Sequence, residues 1–142
     1  MNLYLIRHGE SEWHAQGIKK HQDAHVSLSE LGRNQAKFVA KRCGELSLDT
    51  IYASPLKRAN ETAEIIGESI KKPVIVEPLL QEIKRPSAIE GKERDLPEII
   101  AIRNQILENW NDRAWHYADE ENFYDFKERA IQVVRFAESL PD

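Results

Sequence analysis

The chain opens on a short, mostly apolar run, residues 2–6 (NLYLI), that stops abruptly at Arg7-His8-Gly9. Such a run reads as a buried strand, central in a parallel sheet, with a charged segment at its carboxyl end. Two further strand-like pieces follow, residues 50–53 (TIYA) and 73–76 (PVIV), both β-branched or aromatic in character. Helical patterns separate them. Ala36, Val39, Ala40 and Cys43 fall at i, i+3, i+4 and i+7, one face of a helix. Ser27 or Ser29 is its expected cap, Ser27 with Glu30 having capping-box spacing, and Gly44 its expected stop. Ser54-Pro55 marks the start of the next helix, whose inner face is Ala59, Ala63, Ile66 and Ile70. Residues 9–27 and 77–95 read as loops. Two helices are expected at the end, about residues 97–115 and 122–140. In the second of these, Phe123, Phe126, Ala130, Val133, Ala137 and Leu140 form an apolar stripe.

The order βαβαβ plus two helices predicts an α/β fold: a mostly parallel central sheet in a three-layer α/β/α arrangement, covered on both faces. At 142 residues the chain is expected to form one domain, residues 1–142, around one core. Its 24 acidic and 20 basic residues leave a net charge of −4. That argues against nucleic acid as partner, since such binding needs a basic face; a small anion in a local cationic pocket is compatible with it. Cys43 is the single cysteine, so no internal disulfide framework exists and a reducing compartment is expected. No apolar run reaches membrane-spanning length, and the N-terminus is too short in apolar residues for a signal peptide. The expectation is a cytoplasmic protein with no membrane partner. Oligomeric state is not legible.

Ligands of open parallel sheets collect beyond the carboxyl ends of the strands. Three segments belong there: Arg7-His8-Gly9, Ser54-Pro55-Leu56-Lys57-Arg58 and Leu80-Gln81-Glu82. Together they would bring an imidazole, two guanidinium groups and a carboxyl to one rim. Guanidinium forks match the oxygens of a phosphate ester. Arg58, in the first turn of a helix, adds the N-terminal dipole, and Gly9 permits close backbone approach. A histidine among arginines favours its neutral, nucleophilic form. Glu82 would protonate a leaving alkoxide if burial raised its affinity for the proton. The set suits phosphoryl transfer through a phosphohistidine.

Four motifs occur in order: Leu5-Ile6-Arg7-His8-Gly9-Glu10-Ser11, Leu28-Ser29-Glu30-Leu31-Gly32-Arg33-Asn34-Gln35-Ala36, Ser54-Pro55-Leu56-Lys57-Arg58-Ala59-Asn60-Glu61-Thr62-Ala63 and Leu80-Gln81-Glu82-Ile83. In this the chain resembles the histidine phosphatase (phosphoglycerate mutase-like) superfamily over nearly its whole length. The resemblance implies that His8 is the phosphorylated residue, that Arg7 and Arg58 clamp the phosphoryl group with Gly9 and His14 beside it, and that Glu82 is acid and base. It implies a small phosphorylated substrate and no cofactor or metal.

Some features depart from that pattern. The family's second active-site histidine, in a Ser/Thr-His-Gly segment, has no counterpart, since His116 lies in a Trp-His-Tyr context without glycine. Losing one such donor costs on the order of 10²–10³ in rate. A truncated chain, a gene fragment or a degenerate relative is the expectation. The family often has Asn where His14 stands, and the stretch Gly17-Ile18-Lys19-Lys20-His21-Gln22-Asp23 fits the mutases poorly. Lys84 and Arg85 follow Glu82 and select an acidic substrate, or form a solvated charge pair. A phosphatase is favoured over a glycolytic mutase, and a non-catalytic phosphate-ester-binding protein is the alternative.

Simpler readings stand beside these. Arg7-His8 is also what a strand end meeting solvent looks like, and Arg58 what a surface helix residue looks like. Glu82 competes with Glu77 and Glu90 in an irregular loop. Trp110 and Trp115 read as packing residues. His8, His14, His21 and His25 suggest a zinc site only weakly, since no cysteine joins them. A cysteine phosphatase would need arginine six residues after Cys43, where Asp49 stands, and no Walker A motif is present.

Overall fold

Ser29 starts the first long helix in the way its residue type allows. Its backbone is extended and its hydroxyl accepts a hydrogen bond from the Gly32 amide, satisfying one of the free donors of the first turn. The computed structural model describes residues 2–21 and 24–141. Met1, Asp142, and Gln22 and Asp23 of the stretch that fits the mutases poorly lie outside the described residues.

These residues group into two compact units, one of residues 2–18 and 24–81, the other of residues 19–21 and 82–141. The first contains α1 (Glu12–Ala15), α2 (Glu30–Cys43), β1 (Ile51–Ala53), α3 (Lys57–Ile70) and β2 (Val74–Val76). β1 and β2 pair in parallel, with Ile51 opposite Val74 and Ala53 opposite Val76. The right periodicity made α2 and α3 pack together: Ala40, Cys43 and Ile66 are buried, flanked by Val39, Leu48, Ile51 and Ile70. Burial also pushes the Cys43 thiol above its usual pKa, which keeps it an inert packing group. The chain is thus of the α/β class with a parallel sheet.

Residues 2–6 are the main departure from the sequence reading. They form no sheet ladder, and Leu3, Tyr4, Leu5 and Ile6 are 60, 48, 88 and 45% exposed. An apolar run becomes a buried strand only if another segment offers backbone donors and acceptors alongside it. Composition carries no information about that neighbour. A smaller correction concerns α3, which starts at Lys57 rather than at the Ser54-Pro55 step; its N-cap is Leu56, with no side-chain bond. Ser54 instead holds the approach, its hydroxyl accepting from the Leu56 amide at 3.4 Å.

The second unit holds α4 (Pro97–Glu108) and α5 (Phe123–Ser139). Residues 19–21 run antiparallel to residues 91–94, with amide–carbonyl bonds from His21 to Lys92 and from Arg94 to Lys19. Ile89, Ile99 and Ile106 are buried here. α4 stops at Glu108, well short of the expected residue 115. The polar stretch beyond it turns, with the Asp112 carboxylate accepting from the Ala114 amide, a local bond that competes with helix. α5 begins as its sequence predicts, with a reciprocal cap between Asn122 and Asp125. The Asn122 side chain also donates to the carbonyls of Arg113 and Trp115. Trp110 packs against Phe123 at 5.4 Å between ring centres, and Trp115 against Tyr117. His116 is tied to Asp125 at 2.7 Å. That bond is the leading reason the Asp125 carboxyl lies below its usual range. Among the described residues no helix is long and apolar enough to cross a membrane.

Two ion pairs brace the loops of this unit. Arg129 grips Glu121 through Nε and Nη2, at 2.5 and 2.6 Å, holding the Glu121 carboxyl below and the Arg129 guanidinium above their usual ranges. Asp119 accepts from the Ser87 amide and hydroxyl and pairs with Lys84. Its pKa falls from 3.8 to about 2, chiefly through the Ser87 amide. A carboxyl lowered on folding stabilises the protein above its unfolded pKa and loses that contribution as pH falls through the folded value. Urea titrations between pH 5 and pH 2 will therefore show stability declining in this window, with a shallower decline in Asp119→Asn, which removes the titrating group. Glu121→Gln leaves a half-buried guanidinium poorly paired and will lower stability by about 1–3 kcal/mol, read as an unfolding midpoint.

Candidate active site

Gly9 and Gly32 lie so close that neither tolerates a side chain. A Cβ on Gly32 would sit 2.0 Å from the Glu10 carbonyl oxygen, and one on Gly9 would sit 2.4 Å from the Gly32 carbonyl oxygen. The segment after His8 is thereby pressed against the N-terminus of α2. Hydrogen bonds fix the contact. The Ser29 amide donates to the Glu10 carbonyl at 2.8 Å. The Ser29 hydroxyl donates to the Glu10 carboxylate, and the Glu10 amide donates to Gln35 Oε1, each at 2.8 Å. Ser11, fully buried, forms a bridge with Leu28.

α3 holds the other side. The Gly9 amide donates to Thr62 Oγ1 at 3.2 Å, and that hydroxyl donates to the Arg58 carbonyl at 2.8 Å. Glu61, one residue earlier, accepts from the Leu28 amide and from Arg33 Nη1, both at 3.0 Å. The segment that carries His8 is thus fastened to both helices at once.

His8 and Arg58 meet directly. Arg58 Nε donates to His8 Nε2 at 3.2 Å, and His8 Nδ1 lies 2.7 Å from the Gly9 carbonyl oxygen. These partners determine the proton positions. A carbonyl can only accept, so Nδ1 carries the ring hydrogen; a guanidinium can only donate, so Nε2 presents its lone pair. His8 is therefore a neutral imidazole with its nucleophilic nitrogen turned toward a cation. Arg58 is 2% exposed. A guanidinium so far from water gains strongly from an anion placed beside it.

The other expected residues are distributed differently. Arg7 adjoins His8 in sequence but is exposed, and so is His14 in the short α1. Glu82, Lys84 and Arg85 belong to the second unit and are exposed within the chain. Lys84 is engaged with Asp119, and its amide donates to Glu121, a structural use rather than a free charge. Gly9 is buried with its amide turned to Thr62, so its part is close packing. His21, weighed as a metal ligand, has its Nε2 buried and its pKa lowered by burial and by Arg94, Arg103 and Arg85. Among the described residues no group of three His, Cys, Asp or Glu side chains has metal-holding geometry.

The sequence reading missed the buttressing residues. Ser29 reads in the sequence as a helix cap, while Gly32, Gln35, Glu61 and Thr62 stand only within the motifs, with no role of their own. Their signal was polar side chains on helix faces aimed at a distant glycine, which only contacts reveal.

Known proteins match this arrangement. The description of the histidine phosphatase superfamily (branch 1) matches residues 3–141. The chain belongs to this superfamily. A probable phosphoglycerate mutase of Photorhabdus laumondii is 42% identical over 84 residues, 58% of this chain and 38% of its own length. Among solved structures, the superfamily member superposes on a mycobacterial glucosyl-3-phosphoglycerate phosphatase in complex with VO3, with TM-score 0.73, 28% identity and coverage of 95% of this chain and 64% of that one. The alpha-ribazole phosphatase of Shigella flexneri gives a TM-score of 0.74 at 26% identity, covering 94% and 65%. The chain spans less than two thirds of each of these relatives.

Gly32→Ala will break the contact under His8: we expect a loss of about 3 kcal/mol or more in urea unfolding, since backbone rather than a flexible side chain must move.

Proposed function

We propose that the protein is a phosphatase that hydrolyses a phosphomonoester through phospho-His8. The observation that carries this reading is the contact between Arg58 Nε and a His8 ring whose Nε2 lone pair faces the guanidinium. An incoming phosphoryl group takes the place of the imidazole as acceptor for Arg58, which frees Nε2 to attack phosphorus. The N–P bond forms as the ester P–O bond breaks, and the leaving alkoxide takes a proton. Water then cleaves the N–P bond, giving inorganic phosphate and returning His8 to its starting state.

Arg7 and Arg58 neutralise the charge on the transferring group, with the His14 side chain beside it. Glu82 is the proton donor by the match of residues 80–83 to the family's segment. Arg85 favours a substrate with a second acidic group. The acceptor is water rather than a second phosphate ester, because residues 17–23 depart from the mutase pattern. A second reading has its own support. Residues 3–6, which lead into His8, are exposed rather than held in a sheet, so His8 is braced only from residue 9 onward, and this favours binding of a phosphate ester without turnover.

Incubation with p-nitrophenyl phosphate and with a ³²P-labelled alkyl phosphate separates the two. Turnover through His8 yields an alkali-stable, acid-labile protein label that disappears in His8→Ala. Saturable binding of the ester with no label and no product overturns the enzymatic reading. Glu82→Gln is expected to slow the alkyl ester by on the order of 10²-fold and p-nitrophenyl phosphate, whose leaving group needs no proton, by much less.

A further inference from the structure

The Thr62 hydroxyl has one proton and two lone pairs. Its proton is committed to the Arg58 carbonyl one helical turn earlier, at 2.8 Å. It therefore meets the Gly9 amide, 3.2 Å away, only as an acceptor. Gly9 is the residue whose carbonyl takes the His8 Nδ1 hydrogen. One side chain thus touches the backbone of both residues that define the site's geometry: the carbonyl of Arg58, whose Nε reaches His8, and the amide of Gly9, whose carbonyl sets the His8 tautomer. Thr62 is 4% exposed, so water is a poor substitute for either bond. On the opposite side Gly32 blocks any retreat of Gly9, since even a methyl there would collide.

We infer that Thr62 is a positioning residue, coupling the His8 ring to the Arg58 guanidinium so that one tautomer and one nucleophilic nitrogen are presented to substrate. The coupling follows from the bond directions. Without the hydroxyl, the His8–Gly9 peptide, whose N–H Thr62 accepts, is free to turn, and the Gly9 carbonyl, on the next peptide unit and fixed through the Glu10 amide by Gln35, loses its alignment with the His8 Nδ1 hydrogen. The ring then samples both tautomers, and Nε2 carries a proton for part of the time. A nucleophile misplaced by about 1 Å loses on the order of 10²-fold in rate. This role deepens the phosphatase reading, yet its first test needs no catalysis.

Imidazole ¹⁵N shifts and amide exchange are measured on the free protein and on Thr62→Val and Thr62→Ser. Wild type is expected to show a single Nδ1-protonated His8 ring and a Gly9 amide protected from exchange. Thr62→Ser keeps both features; Thr62→Val, which keeps the branched shape, shows mixed tautomers and Gly9 exchange accelerated by about tenfold or more. Turnover of p-nitrophenyl phosphate then falls about 10–100-fold in kcat in the valine variant, with KM changing less than about threefold, and serine restores it. If Thr62→Val fails to fold, the wild-type ring and amide signals decide alone: an Nε2-protonated ring or an unprotected Gly9 amide overturns the inference. A folded valine variant with wild-type His8 shifts and kcat overturns it too. A chain with no turnover whose ring signals still follow Thr62 upholds the coupling and defeats the phosphatase reading.

Discussion

The close approach of two backbone segments, residues 9–10 against Gly32, is the constraint on which the site rests. It requires glycine on both sides, because a single Cβ would occupy the space of a carbonyl oxygen. Once that contact is made, the Ser29 and Gln35 side chains of α2 reach the backbone and carboxylate of Glu10, and α3 closes from the other side through Glu61 and Thr62. The imidazole of His8 inherits its orientation from this clamp rather than from its own packing. A functional side chain on a loop becomes precise when its backbone is immobilised by regular elements.

The electrostatics of the pair follow from the same geometry. Arg58 meets the His8 ring as a cationic donor to a neutral nitrogen lone pair. In the proposed reaction, the ring nitrogen that gives up the guanidinium is the one whose lone pair attacks phosphorus. On that proposal binding and activation are one event, in which Arg58 Nε exchanges a nitrogen acceptor for an oxygen.

How much of this was legible beforehand differs by residue. His8, Gly9 and Arg58 were readable because a charged segment after an apolar run and a cation in a helix's first turn are local features. The class of fold was readable for the same reason, from helical periodicity in α2 and α3 and β-branched runs at β1 and β2. The strand expected at residues 2–6 was not formed, since pairing depends on a neighbour that local composition does not encode. The extent of α4 was overestimated, because Asn109 and Asp112 offered the backbone local bonds that a pattern of apolar spacing ignores. Lys84, read either as a substrate contact or as a solvated charge, pairs with Asp119, a partner 35 positions away that no local pattern indicates.

The linear order of residues by itself determined the element types, the motifs and the chemistry available: an imidazole and two guanidinium groups suited to a phosphate, with no Cys-x₅-Arg loop or nucleotide-binding loop to compete. These are properties of short windows, set by propensity, capping and side-chain functional groups. Tertiary structure alone decided which nitrogen of His8 carries the hydrogen, that Arg58 is buried against it, and that Thr62, Gln35 and Gly32 hold the segment in place. Those outcomes depend on bonds between residues 25 to 53 positions apart, and no local preference specifies the distance or direction of such a bond.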